Sequence, residues 1–180
     1  MFSLDCTARV AIMTLVPCVG CGAMFAPFDG PVHRYMESSP GCWAAFGEVL
    51  TREYSDFAYA RAHRLTVDSY AVQHPGQSSP QSIQSVALHL ISLCLVLEHE
   101  VSMQRATEAL QKGAKYKSSF VWLDPPIMRG AITVADVQAA RNSEKHVQSV
   151  WLWARSTWAA WSHHHERIQV WLQKLGLKAS

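Results

Sequence analysis

Cys18 and Cys21 stand two residues apart in the run Pro17-Cys18-Val19-Gly20-Cys21-Gly22. His33 and Cys42 follow at short range. A two-residue gap lets both sulfurs reach one ion from a tight turn, and thiolates with imidazole suit a tetrahedral zinc site. Gly20 and Gly22 allow the backbone angles such a turn needs. The set Cys18, Cys21, His33 and Cys42 is therefore the candidate metal site. Its rivals are free thiols with His33 on the surface, or a redox pair. The redox pair would want a thioredoxin-like strand-and-helix unit that this chain does not offer.

A second constellation is dispersed. Asp68 and His74 lie on one short helical stretch, His89 lies inside the most apolar stretch, and His165 lies on a regular apolar stripe near the end. These four are the candidate catalytic residues. His74, His89 and His165 meeting in a bundle could hold a divalent ion with an open position, the arrangement of a hydrolytic site. Asp68 would orient one of the rings. The alternative is that each histidine is a core residue bonded to a carbonyl or carboxylate, since no compact His-x-x-x-His spacing links them.

These residues have to be held by helices. Ser39-Pro40 reads as a cap followed by proline at the first helical position. Trp43, Phe46, Leu50, Tyr54 and Phe57 then recur at spacings of three and four, so a helix is expected to run to about His63. A short helix fits residues 66–74, stopped by Pro75-Gly76. Ser79-Pro80 opens a third helix whose middle, from Val86 to Leu97, is apolar nearly all round, which marks it as central. A fourth runs from about Ser102 to Lys112. Residues 114–132 read as a loop, and Thr133 with Asp136 as a capping box for a short helix. The last helix is expected to be continuous from about Ser143 to Leu175. Its seam is Val147, Trp151, Ala154, Trp158, Trp161, His165, Ile168, Leu172 and Leu175. Trp153 falls off that stripe and is expected at the surface or against a partner.

Together these elements make a mostly α-helical bundle with a loop-rich, zinc-stapled N-terminal segment. The expected division is residues 1–42 for the metal knuckle and 43–180 for one compact helical unit. At 180 residues with 49% hydrophobic and 17% charged side chains, the chain can bury a sizeable core and is too apolar for disorder. A formal net charge of +2 is too small for a nucleic-acid footprint, so no nucleic acid is expected as a partner. The 5 cysteines are odd in number and sparse, which argues for a reducing compartment, and Cys94 in its apolar run reads as a buried thiol. The apolar stretch Val10–Val16 is short, Asp5 spoils a basic start, and it reads as a strand leading into the knuckle rather than a signal peptide. No run reads as a membrane span, so a cytoplasmic protein without membrane contact is expected.

Four strings carry a resemblance: Gly30-Pro31-Val32-His33, Ser39-Pro40-Gly41-Cys42-Trp43, the long run from His63 through Asp68, Tyr70, Gln73 and His74 to Gly76, and Gln81 to Leu90. From Cys18 to the Trp-rich end, the chain resembles an uncharacterised bacterial family, a domain of unknown function. The resemblance implies no activity, but it gives weight to Asp68, Gln73, His74 and His89. A fainter likeness, at the level of fold only, is to three-histidine metal bundles related to DNA-damage-inducible proteins. The expected function is a zinc-binding protein whose metal is structural and whose helical body binds a protein partner or small ligand. The alternative is a metal-dependent, hydrolase-like enzyme built on the dispersed histidines.

Overall fold

The computed structural model describes residues 14–176. Cys6, most of the Val10–Val16 stretch and Lys178 lie outside the described residues. Two short strands, β1 (Val16–Pro17) and β2 (Met24–Phe25), pair antiparallel with Val16 opposite Phe25. The turn between them is closed by Cys18 N–H to the Ala23 carbonyl and Gly22 N–H to the Cys18 carbonyl.

Eight α-helices follow among the described residues: α1 (Pro40–Ser55), α2 (Phe57–Ala60), α3 (His63–Gln73), α4 (Pro80–Leu97), α5 (Met103–Gly113), α6 (Val134–Gln138), α7 (Ser143–Ala160) and α8 (His165–Lys174). The chain is mostly α, as its periodicity indicates. The caps read from sequence are in place. Ser39 accepts from Cys42 N–H, Ser79 from Ser82 N–H, and Thr133 with Asp136 forms a reciprocal box.

The expected helix to His63 is split into α1 and α2, and α3 starts at His63 itself. Asp56 is extended (φ −144°), and its carboxylate accepts from Ala58 N–H at 2.8 Å, so it caps a new helix instead of continuing the old one. Tyr54 and Phe57, placed by periodicity on the buried face, are 75% and 86% exposed. The expected 143–175 helix also breaks, at a 3₁₀ turn over Ser162–His164. There the His165 ring donates from Nε2 to the Trp158 carbonyl at 3.1 Å and satisfies a group the helix would otherwise use.

The core is built on α4, whose residues from Leu90 to Val96 are all buried, and on α3 and α7 packed beside it. By length and composition α4 could cross a membrane, which the sequence reading did not anticipate, but 56% of it is buried inside the protein. That burial is the mark of a core helix. Helices α3 and α7 run in the same direction. Glu53 of α1 bridges Thr66 and His146, and seven residues further along both helices Gln73 meets Trp153. The buried line of α7 is His146, Val150, Trp153, Ala154, Thr157 and Trp158. That places Trp153 at 0% exposure and corrects the expectation of an exposed ring. The polar handle of Trp153 had to find a partner in the core, and Gln73 supplies it.

Candidate metal centre

Cys18, Cys21, Cys42 and His74 bring one donor atom each within 4.8 Å of one another, close enough to hold one metal ion. Two donors come from the knuckle turn and two from helices. Cys42 sits in the first turn of α1, at the positive end of the helix dipole. His74 is the C-cap of α3. The chain leaves the helix at that residue, so its backbone N–H and its ring Nδ1–H both donate to the Tyr70 carbonyl, at 3.1 and 2.8 Å. With the proton on Nδ1, the Nε2 lone pair faces the sulfurs. It lies 3.5 Å from Cys18 Sγ and 3.4 Å from Cys42 Sγ. A backbone carbonyl fixing the tautomer in this way is the usual support for an imidazole ligand.

The surroundings complete the centre. Cys21 Sγ lies 3.8 Å from Cys42 Sγ, Ser39 N–H points at Cys18 Sγ at 3.3 Å, and the Tyr70 hydroxyl points at Cys42 Sγ at 3.7 Å. Tyr70 itself is sandwiched between Phe46 and His74, at ring-centroid distances of 3.8 and 4.1 Å. Gly22, with φ +76°, makes the knuckle turn. Gly20 serves a different need. A Cβ there would collide with the Glu37 carbonyl and the His74 ring, so only glycine lets the knuckle close on its fourth donor.

The thiols alone form a frustrated group. Hydrogen bonds from Cys21 and Cys42, acting against burial, hold Cys18 far below the ordinary thiol range. Cys21 is pushed up to about 12, chiefly by its hydrogen bond to Cys18, and Cys42 is pushed up as well by Cys18, Cys21 and burial. Of these three adjacent sulfurs, two buried and one half-buried, Cys18 is thus favoured as a thiolate and the other two are held protonated. A divalent cation among them removes that conflict.

The loop between α5 and α6 locks onto the same corner. Arg129 Nη1 donates to the carbonyls of Gly20 (3.0 Å) and Gln73 (3.2 Å). The Gln73 amide donates back to the Arg129 and Ile132 carbonyls.

His33, read from sequence as the fourth donor, is not in the cluster. Its ring lies against Tyr35 and Trp43. His74 occupies that place although it is 32 residues beyond Cys42. The alternative in which His74, His89 and His165 meet around an ion does not occur among the described residues, where no second group of donors comes close enough to hold one. His165 stacks on Trp158 with ring centroids 3.7 Å apart. His89 belongs to Asp68: Nδ1–H donates to Oδ1 at 2.7 Å. Asp68 is fully buried and also takes Arg64 at 2.7 Å and the Ser92 hydroxyl at 2.6 Å. Asp68, expected to orient a ring of a three-histidine ion site, instead bonds His89 away from the donor cluster.

A second buried carboxylate escaped the sequence reading. Glu53 takes His63 Nδ1–H at 2.7 Å, His146 Nε2–H at 2.8 Å and the Thr66 hydroxyl. Nothing local marks it, since His146 is 93 residues away.

A family model described as a family of unknown function (DUF5946) matches residues 16–162, from the first strand to the turn after α7. No curated protein and no solved structure matches the chain.

Proposed function

We propose that this chain, which belongs to DUF5946, a family of unknown function, is a cytoplasmic protein whose zinc ion staples the N-terminal knuckle to a helical body that binds a small molecule or a protein partner. The donor geometry supports zinc. A tetrahedral ion with bonds of about 2.3 Å to sulfur and about 2.0 Å to nitrogen sets sulfurs about 3.8 Å apart and sulfur from nitrogen about 3.5 Å apart. The corresponding separations here are 3.8 Å for Cys21–Cys42 and 3.5 and 3.4 Å for His74 to Cys18 and Cys42. Three thiolates and one imidazole are a soft set that suits zinc over magnesium or calcium. All four positions are filled by protein, the pattern of a structural rather than a hydrolytic site. The knuckle has two-residue strands and little core of its own, so metal binding would supply folding free energy to it.

The test is metal content by mass spectrometry. Wild type and His33→Ala should each carry one zinc per chain. His74→Ala should lose it, and a chelator should open the knuckle to protease. Full zinc occupancy in a Cys18→Ser/Cys21→Ser double variant would overturn the assignment.

A second reading, catalysis away from the metal, has one observation in its favour. Asp68 holds the Nδ1 proton of His89, which leaves Nε2 as a base on a side chain that is 18% exposed. Nitrogen NMR of the neutral ring checks this, and a proton found on Nε2 would end it.

A further inference from the structure

Where α4 turns into α5, a cavity of about 360 Å³ opens between that turn and α7. Its volume falls in the range of small-molecule sites. Val96, Val101, Met103 and Trp151 supply apolar walls, and two residues of opposite charge, Glu100 and Arg155, share the lining. Neither is in an ion pair among the described residues, with each other or with anything else. The Arg155 guanidinium lies over the Trp151 ring, 5.8 Å from its centroid, which holds the cation beside the apolar wall.

The turn carries a second observation. Glu100 has φ +52°, the one non-glycine residue with positive φ among the described residues. The turn is closed by Val101 N–H donating to the Leu95 carbonyl at 2.9 Å. Glycine or asparagine would fill such a position with less strain. Glu100 thus lines the cavity at a conformational cost, and strain of this kind gathers at ligand sites.

We propose that this cavity binds a zwitterionic small molecule with an apolar side chain, of the class of free aliphatic or thioether α-amino acids. The ligand carboxylate meets Arg155, its ammonium meets Glu100, and its side chain lies against Trp151, Val101 and Met103. A ligand with one charge can pair with only one of these two residues, and each charge-assisted hydrogen bond it lacks weakens binding. A zwitterion satisfies both. The proposal supplies the ligand chemistry of the function proposed above and does not depend on the metal.

Isothermal titration of the full chain as purified with L-leucine and L-methionine tests it. Isoamylamine and 4-methylpentanoate, leucine without its carboxylate and without its ammonium, serve as the single-charge controls. Saturable binding of an amino acid is expected, with each control at least about tenfold weaker. Arg155→Gln and Glu100→Gln, both at exposed positions, should each weaken amino-acid binding about tenfold or more without lowering the melting temperature. No saturable binding of either amino acid, equal binding of a single-charge control, or unchanged affinity in Arg155→Gln would overturn it. Zinc measured on the same samples separates the two readings. Metal present without amino-acid binding sinks the cavity alone, and binding without metal sinks the staple alone.

Discussion

The indole N–H of Trp153 donates to Oε1 of Gln73 at 2.7 Å, and both side chains are fully buried. Gln73 spends its amide hydrogens on the Arg129 and Ile132 carbonyls, and it immediately precedes His74. One side chain thus joins α3, α7 and the loop that grips the knuckle. Gln73→Leu keeps the volume and orphans the buried Trp153 indole N–H and two part-buried carbonyls. The indole alone should cost about 1–3 kcal/mol, read from urea denaturation midpoints. A loss under about 1 kcal/mol would mean that water replaces these bonds.

Gly20→Ala forces the knuckle away from His74, because the new Cβ meets the Glu37 carbonyl and the imidazole. Metal affinity, measured by chelator competition, should fall about 10–100-fold, the scale on which changes around a ligand act. Gly22→Ala meets nothing within 4 Å but sits at φ +76°. It should cost about 1–2 kcal/mol of strain instead.

Glu53 sets an acid limit. Burial pushes its carboxyl up, but hydrogen bonds from His146, His63 and Thr66 outweigh that and hold it below the ordinary carboxylate range. A carboxylate with a lowered folded pKa binds fewer protons folded than unfolded. Its stabilisation is therefore full above the ordinary carboxylate range and is lost as pH falls through the lowered value. The stability gap between wild type and Glu53→Gln should be widest near neutrality and shrink below about pH 4.5. Loss of any metal bound by the cysteine cluster would affect both proteins in acid and cancel in the difference. A gap independent of pH would show that Glu53 is not ionised in the fold.

Asp68→Ala leaves the Arg64 guanidinium, 17% exposed, without its counterion and frees both His89 and Ser92. Removing one partner of such a buried pair should cost about 3–5 kcal/mol by chemical denaturation. His89→Gln should cost less, since Arg64 and Ser92 still satisfy the carboxylate.

Local chemistry was legible in the chain itself. Ser39-Pro40, Ser79-Pro80 and Thr133 with Asp136 act within one helical turn, so their caps could be read without knowing the fold. The knuckle Cys18-Val19-Gly20-Cys21 is local in the same sense, and the apolar run of α4 marked the core helix. Tertiary structure decided whatever depends on phase or distance. His74 rather than His33 completes the donor set because α3 ends where the knuckle docks, an encounter between residues 56 apart. A one-position shift of the buried line on α7 exchanged Trp151 for Trp153. Both stripes satisfy helical spacing, and only the Gln73 and Glu53 partners on neighbouring helices select between them. Asp56 and the Ser162–His164 turn broke two helices that periodicity had joined, since a side chain competing for one backbone group leaves no mark on a hydrophobic pattern.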